Sequence, residues 1–323
     1  MLPIYDTELS EQVLEWLLSG DPSIVYQTHR DLIQNPHFYK RGEADHRNLK
    51  KLQDRIAQEG WGRALLDEQG QDGLWAGAIY SPKWISTHYT LLQMMRIGFP
   101  GDHPVPQKAI KRYLDEKYYS DMGINIGVTS TCSDVCVTAM VLTMLCYYGI
   151  EDERMLNLIS FLNNTRLKDG GWNCDHLSGD YHSSVHTTLS VIEALDTSRA
   201  SGVPTDENLQ DLIHSGREFL LQHNLYKSHR TGEVMKKSFT MLSFPPRWFY
   251  DVLKALDYFQ AFEAPYDKRM DDALDLLYAK QRKNGRWPVQ NKHAGRVYFD
   301  MEKSGDSRWN TLRALRVFRH FSE

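Results

Sequence analysis

The sequence predicts an all-α protein, and two observations support this fold class. Apolar residues recur at positions i, i+3, i+4 and i+7 through almost all of the 323 residues, which is the spacing of one helix face. Alternation with a period of two is scarce, and only residues 295–301 suggest a short extended piece. The second observation is internal repetition, which indicates a fold built from similar helical units.

A motif of the form Gln-x-x-x-Gly-x-Trp, with Arg replacing Gln in one copy, occurs three times. The copies are Gln69, Gly73 and Trp75, then Arg166, Gly170 and Trp172, then Gln281, Gly285 and Trp287. Each copy follows an amphipathic segment, so we expect its glycine to end a helix in the left-handed cap conformation. The tryptophan then has a fixed place to pack against neighbouring helices.

A second register recurs in the helical segments that follow these turns. Its six positions are His29, His88, Cys136, His186, Tyr250 and Trp309, at intervals of 59, 48, 50, 64 and 59 residues. Pro22, Pro82 and the pair formed by Pro245 and Pro246 precede three of them, as expected for proline at a helix start. We therefore expect six helices of one kind, each associated with one of these positions.

Six more charged segments alternate with these helices and show one apolar stripe and one solvated face. They cover residues 6–18, 44–68, 104–119, 151–166, 206–223 and 267–283. This alternation predicts an α/α toroid, with six inner helices inside a ring of six outer helices. The starts of the inner helices would then meet at one end of the barrel. Since no segment has the composition of a linker, we expect a single domain over residues 1–323.

Charge and composition exclude several classes of function. A formal net charge of −4 without a basic stripe makes nucleic acid an unexpected partner. The longest nearly uncharged apolar run, residues 135–150, is too short to span a bilayer. The first residues lack the features of a secretion signal, and four cysteines are too few for a disulfide framework. We therefore expect a cytoplasmic protein with reduced thiols, with Cys132 and Cys136 four residues apart on one helix face.

Three residues of metal-ligand type lie near the starts of two successive inner helices. Asp134 and Cys136 lie at one start and His186 lies at the next. Carboxylate, thiolate and imidazole all bind zinc, and a catalytic zinc keeps one position open. The same residues are also consistent with an N-cap aspartate and two core side chains, and the sequence leaves both interpretations open.

The loop between these helices holds a second cluster of such residues. Its members are Cys174, Asp175, His176 and His182. Their spacing matches no established zinc motif, so they are either extra ligands or part of a turn with surface histidines. The sequence does not determine the role of the first three.

Two Arg-Trp pairs, one repeat apart, precede the last two inner helices. The residues are Arg247, Trp248 and Tyr250 in the fifth copy, and Arg308 and Trp309 in the sixth. Arginine binds phosphate or carboxylate in forked geometry, and aromatic faces stabilise cations. The pairs therefore predict an anionic-substrate site beside an aromatic wall. Alternatively, each tryptophan packs in the barrel and each arginine pairs with a nearby acid, Asp251 or Asp306.

The candidate catalytic groups are Asp134, His88 and Asp251. His88 shares the register of His186 and His29, so it is either a general base in the cavity or a buried histidine. An aspartate in such a cavity needs a partner or a raised pKa, because an isolated buried carboxylate is unfavourable.

The Gln-x-x-x-Gly-x-Trp segments resemble the repeats of the prenyltransferase and squalene-cyclase superfamily over most of the chain. This resemblance implies an α/α barrel with an aromatic-lined central cavity for isoprenoids. Asp134 and Cys136, followed by His186, are similar to the Asp-x-Cys and His that hold catalytic zinc in protein prenyltransferases, which implies zinc as a cofactor. The Arg and Lys that handle diphosphate in those enzymes fall here at Val128 and Thr131, and the Asp-x-Asp-Asp string of squalene-type cyclases does not occur.

These features predict an isoprenoid-handling enzyme, acting by prenyl transfer or terpene cyclisation on an apolar substrate in a central cavity, with assistance from zinc. One alternative is a barrel without catalysis that binds a lipid or a protein. Another is a polysaccharide lyase or hydrolase, because α/α toroids also serve carbohydrate chemistry. A partner subunit is not indicated, and the substrate's identity is not determined by the sequence.

Overall fold

Helices dominate the protein, which confirms the predicted all-α class. The structure is a computed structural model that describes residues 9–33, 46–174, 182–204 and 208–321. In these ranges the helices are α1 Glu11–Leu18, α2 Pro22–Thr28, α3 His46–Gln58, α4 Gly60–Asp67, α5 Thr87–Arg96, α6 Pro104–Lys117, α7 Val135–Tyr147, α8 Arg154–Asn164, α9 Val185–Ala200, α10 Leu209–Gln222, α11 Val252–Ala261, α12 Asp271–Tyr278 and α13 Arg308–Phe321. None of the described helices is long and apolar enough to cross a membrane.

Short irregular helices and one small sheet complete the described structure. A π-helical turn, His29–Ile33, continues α2, and 3₁₀ turns cover Lys237–Thr240 and Lys268–Met270. The strands β1 Trp287–Pro288 and β2 Asp306–Ser307 form an antiparallel pair. The extended piece expected at residues 295–301 is therefore wrong. Arg296 instead exchanges backbone hydrogen bonds with the chain at Lys83 and Trp84, outside any strand.

Two kinds of helix alternate along the chain, as predicted. α7 buries eleven of its thirteen residues, whereas the preceding amphipathic helix, α6, buries five of its fourteen residues. The strongly buried set is α2, α5, α7, α9, α11 and α13. The outer helix expected over residues 44–68 is divided into α3 and α4. The division falls at Gly60, which has a left-handed φ of 65° and so interrupts the helical backbone.

Each strongly buried helix contacts the next member of its set, and the last contacts the first. α7 packs against α5 and α9, and α13 packs against α11 and α2. The two remaining contacts are polar. Gln27 on α2 donates to the backbone carbonyl of Arg96 on α5 at 3.0 Å, and Tyr258 on α11 donates to Asp196 on α9 at 2.5 Å.

The three repeated tryptophans join the end of one helix to the start of the next. Trp75, Trp172 and Trp287 are fully buried. Each indole Nε1 donates to the carbonyl of a leucine ten residues earlier, at 2.7, 2.6 and 2.8 Å. Each backbone N–H donates to a threonine hydroxyl in the following buried helix, at 3.0, 3.0 and 2.9 Å. The tryptophan of each repeat therefore links two consecutive helices through hydrogen bonds and packing.

The repeated glycines have the predicted conformation but not the predicted position. Gly73, Gly170 and Gly285 have φ values of 78°, 93° and 76°. The preceding helices end at Asp67, Asn164 and Tyr278, so these glycines are not helix caps. Each instead donates its N–H to the carbonyl three residues earlier, which closes a tight turn that precedes the tryptophan.

The threonine contacts confirm part of the second register. Thr138, Thr188 and Thr311 accept equivalent backbone hydrogen bonds, and they lie two residues after Cys136, His186 and Trp309. These three predicted positions are therefore equivalent. Cys136, His186 and Trp309 are each the second residue of their helix.

Two of the other three register positions are wrong, and His88 matches only in part. His88 is the second residue of α5, but the accepting threonine there is Thr87, three residues before the Thr90 that the alignment uses. His29 lies at the C-terminal end of α2 and not at its start. Tyr250 precedes the residue that caps α11. Sequence alignment favoured these positions because each is followed by a Thr or Leu at matching spacing.

Candidate functional site

The residues proposed to bind zinc contact other partners. The Cys136 N–H donates to the sulfur of Cys174 at 3.1 Å. The His186 Nδ1 accepts from the backbone N–H of Tyr250 at 2.8 Å, and its ring packs against Phe239 and Trp248. Asp134 occupies the N-cap of α7 without a capping bond from its side chain.

No group of three or more His, Cys, Asp or Glu side chains is placed to hold a metal within residues 9–33, 46–174, 182–204 and 208–321. Asp134, Cys136 and His186 therefore do not fit a zinc site as they are arranged. Zinc stays a prediction, for which metal analysis of the purified protein is the test. Asp175 and His176 lie outside the described residues.

The cysteine pair has an asymmetric environment. The hydrogen bond from Cys136 lowers the pKa of the Cys174 thiol. The same bond, together with burial, raises the pKa of Cys136. Cys132 lies before α7 begins, so its predicted place on the same helix face as Cys136 is wrong.

His182 and His186 line an open cavity of about 880 Å³ beside the start of α9. His223 and His229 also line it, and their Nδ1 atoms lie 3.4 Å apart. His182 therefore lies near the surface, as expected for a turn with surface histidines.

His88 is a buried neutral histidine. Its Nδ1 lies 3.0 Å from the hydroxyl of Tyr113, and its Nε2 has no hydrogen-bond partner. Burial lowers the pKa of His88 to about 3, so the ring resists taking up a proton. Since a general base works best with a pKa near the working pH, this environment favours a packing role.

A pH-dependent stability follows from His88. Its folded pKa of about 3 lies below the ordinary value of 6.5, so between these values the unfolded chain binds a proton that the folded chain does not. Stability is then lost as the pH falls from about 6.5 towards 3. We expect His88→Gln, which keeps a hydrogen-bonding group but does not titrate, to flatten this loss in urea denaturation between pH 6.5 and 4.5. His214→Gln, on the exposed face of α10, is the control; an unchanged slope in the His88 variant would contradict the assignment.

The predicted acids are engaged in structural contacts. Asp251 is 1% exposed; it caps α11 by accepting from the Lys254 N–H at 2.8 Å and also accepts from the Ser243 hydroxyl at 2.5 Å. Asp306 pairs with Arg282 at 2.6 Å and with Arg286 at 3.5 Å. Both aspartates therefore have structural partners, but neither pairs with Arg247 or Arg308, so the expected pairing of those arginines with Asp251 or Asp306 is wrong.

The two Arg-Trp pairs do not meet at one anion site. Arg308 donates to the backbone carbonyl of Trp16 on α1 at 3.0 Å, and its guanidinium lies over the Trp16 ring. Arg247 is 7% exposed; it donates to Gln93 and lies 5.5 Å from the Trp84 ring centre. Burial lowers the pKa of Arg247 to about 10.

The predicted aromatic wall is divided in the same way. The Trp248 ring stacks on Phe249, with ring centres 3.9 Å apart, and the Tyr250 hydroxyl donates to the carbonyl of Leu225. Trp309 stacks on Phe244 at 4.0 Å. Of the five predicted substrate contacts, Trp309 is the one that lines the central cavity.

The central cavity is bounded by all six strongly buried helices. It has a volume of about 350 Å³, within the range of small-molecule sites. Each of α2, α5, α7, α9, α11 and α13 contributes to the lining, for example with Gln27, Arg96, Thr143, Glu193, Lys254 and Arg313 in that order. The cavity lies beside the C-terminal halves of α5 and α7, deeper than the helix starts that the sequence indicated.

Ion pairs between helices line this cavity. Arg96 and Glu193 form a two-pronged pair with one contact of 2.6 Å. Asp257 accepts from Arg313 at 3.0 Å and from Arg316 at 2.5 Å. Burial alone would raise the pKa of Glu193 and of Asp257, but the arginines outweigh burial and hold both pKa values below the usual range.

Positive charge exceeds negative charge around the cavity. The basic lining residues are Arg30, Arg96, Lys254, Arg313 and Arg316, and the acidic ones are Glu193 and Asp257. Asp31, just outside the lining, pairs with Arg30 and Arg316. Five basic groups against three acidic groups leave an excess of two positive charges.

Lys254 is the cationic group without a carboxylate partner. It is 6% exposed, and its Nζ donates to the backbone carbonyls of Phe249 at 3.2 Å and Arg247 at 3.5 Å. Among the described residues no carboxylate lies within ion-pair distance of it. Burial and the nearby Arg96 lower the pKa of Lys254 to about 8. Lys254 was not predicted from the sequence, since a lysine in an amphipathic helix ordinarily faces solvent.

Comparisons with known proteins give a likeness in fold only. No protein-family model and no curated protein sequence matches the chain. Among solved structures, the chain is similar to the apo form of the type II terpene cyclase MstE from Scytonema, with 16% identity over 92% of this chain and 87% of that chain and a TM-score of 0.46. It is also similar to a variant of MstE in complex with geranylgeranyl dihydroxybenzoate, with 14% identity, 93% and 86% coverage and a TM-score of 0.47. No residue role is taken from these likenesses.

Proposed function

We propose that this chain is an α/α toroid that binds an isoprenoid with an anionic end, such as a diphosphate, in its central cavity and acts on it as an enzyme. The closed sequence of contacts among the six strongly buried helices supports the toroid. The cavity that all six line supports a ligand in the interior. The Gln-x-x-x-Gly-x-Trp resemblance supports an isoprenoid as the apolar part.

The observation that carries the proposal is Lys254. A buried ammonium without a carboxylate partner is unfavourable by several kcal/mol, and a second positive charge in excess around the cavity adds to this cost. An anion in the cavity would neutralise both. Diphosphate is the anionic group that isoprenoids carry, so ligand and cavity are complementary in charge.

The cavity residues divide into two roles. The Lys254 ammonium would pair with the anion directly, while Arg96 and Arg313 are oriented by Glu193 and Asp257 and contribute positive potential. The apolar part of the ligand would pack against Leu189, Phe244, Phe262 and Trp309, which line the same cavity.

This arrangement favours chemistry that begins at the diphosphate. Fixed positive charges stabilise the negative charge that develops on a leaving diphosphate. Protonation of the substrate by a cavity carboxylic acid is disfavoured, because Glu193 and Asp257 are held ionised by arginines. The same ion pairing also suits the second candidate, a barrel that binds the ligand without catalysis.

The test is a set of parallel titrations of the purified protein. We expect geranyl diphosphate to bind at least about ten-fold more tightly than geraniol or inorganic diphosphate. Geraniol has only the apolar chain and inorganic diphosphate has only the anionic group, whereas the cavity is complementary to both. Product analysis then separates an enzyme from a binding barrel. Equal affinity for geraniol and geranyl diphosphate, or tighter binding of an oligosaccharide, would overturn the proposal.

A further inference from the structure

Two thiols meet where the first turns of α7 and α9 approach each other. Cys136 is the second residue of α7, and Cys174 follows the buried Trp172 by two residues. The Cys174 sulfur accepts from the Cys136 N–H at 3.1 Å and from the Thr187 hydroxyl at 3.6 Å.

Two donors, the Cys136 N–H and the Thr187 hydroxyl, therefore converge on one sulfur atom. One of them is a backbone amide in the first turn of a thirteen-residue helix, where the helix dipole favours negative charge. Donors and helix N-termini of this kind stabilise a thiolate, which is the nucleophilic form of cysteine. Both thiols are partly exposed, so a small oxidant can reach them.

We propose that Cys174 and Cys136 form a reversible oxidation site for peroxides, in which Cys174 attacks and Cys136 resolves. The Cys174 thiolate attacks one peroxide oxygen, the O–O bond breaks, and the departing oxygen leaves as water after taking up a proton. This gives a sulfenic acid on Cys174. The Cys136 sulfur then attacks the Cys174 sulfur, and the hydroxyl takes up the proton of the Cys136 thiol and leaves as a second water. Two thiols are oxidised to a disulfide while one hydrogen peroxide is reduced to two waters.

The proposal does not depend on the ligand of the central cavity. It requires only that the two sulfurs are neighbours and that one is activated. A dithiol reductant would restore both thiols by exchange, so the covalent link between α7 and the segment before α9 is expected to be reversible.

Cys132 is an internal control in the same chain. It has the same intermediate exposure as Cys174, but its sulfur lies 3.6 Å from the hydroxyl of Ser130 and makes no thiol pair. Accessibility alone would therefore make Cys132 and Cys174 react alike. A difference between them measures the effect of the converging donors.

The first experiment uses the unmodified protein, treated with hydrogen peroxide below one equivalent, then alkylated and mapped by mass spectrometry. We expect a disulfide between Cys136 and Cys174, reversed by dithiothreitol, with Cys132 still free to alkylate. Without peroxide, iodoacetamide is expected to label Cys174 about ten-fold faster than Cys132 at pH 7. Oxidation or labelling of Cys132 at the same rate as Cys174 would overturn the proposal.

Matched variants separate the two roles. In Cys136→Ser, oxidation is expected to stop at a sulfenic acid on Cys174, which dimedone traps. In Cys174→Ser, Cys136 is expected to stay reduced at the same peroxide dose, and Cys132→Ser is expected to form the disulfide normally. A dimedone adduct on Cys136 in the Cys174 variant, or a disulfide that involves Cys132, would contradict the assignment.

Discussion

Replacing Lys254 by Met is expected to weaken the binding of geranyl diphosphate by roughly 30- to 5,000-fold. Loss of one partner of a buried charge pair typically costs about 2–5 kcal/mol of binding. The same substitution is expected to raise the free energy of unfolding of the ligand-free protein, because it removes a buried charge that has no carboxylate partner. Calorimetric titration and urea denaturation measure the two effects.

Lys236→Met is the matched control, since Lys236 is exposed and lines the other cavity. It is expected to leave geranyl diphosphate binding unchanged. Unchanged binding in Lys254→Met would exclude this residue as the anion contact. Lower stability in that variant would show that the ammonium group already has a favourable partner.

The pKa of Lys254 gives the same prediction a pH dependence. Its folded value of about 8 lies below the ordinary 10.5, so between these values the unfolded chain binds more protons than the folded chain. The unfavourable contribution of Lys254 to stability is therefore complete below about pH 8 and is relieved as the pH rises towards 10.5. Anion binding is expected to weaken above pH 8 in the unmodified protein and to persist in Lys254→Arg, whose guanidinium stays charged.

Replacing Trp172 by Ala is expected to lower the free energy of unfolding by about 3–5 kcal/mol, the usual loss for truncating a buried large aromatic residue. The substitution removes a fully buried ring and the 2.6 Å hydrogen bond to the carbonyl of Leu162. Trp172→Phe, which retains most of the ring, is expected to lose about 1–3 kcal/mol because it leaves that carbonyl without its donor. Urea denaturation measures both; equal losses below about 1 kcal/mol would contradict a structural role for the repeat.

The alternation of helices was predictable because burial leaves a local signal. α7 is buried on nearly every side, and its sequence is a nearly continuous apolar run, whereas the sequence of α6 has one apolar stripe. The repeated tryptophans were predictable for the same reason, since their contacts reach only ten to twenty-four residues along the chain. Such spacings are visible in a single sequence.

The site was less predictable, because its contacts are distant in sequence. Arg96 and Glu193 are 97 residues apart, and nothing near either residue indicates that the two meet. Lys254 has ordinary neighbours for an amphipathic helix, and its burial follows only from the arrangement of six helices.

Packing explains why most of the predicted site residues lie outside the central cavity. Large rings were expected to line an open mouth, but they fill the space between one another. Phe249 stacks between Trp248 and His293 at 3.9 and 4.0 Å, and His186 packs against Phe239 and Trp248. The central cavity is lined by ionic side chains together with other rings, among them Phe244, Phe262 and Trp309.

A crystal structure of the protein with geranyl thiodiphosphate, which resists loss of its diphosphate, tests the central claim most directly. The predicted result is a diphosphate group beside the Lys254 Nζ, with the geranyl chain against Trp309 and Phe244. A diphosphate bound among the rings at the helix starts, or in the groove lined by His182 and His223, would contradict it.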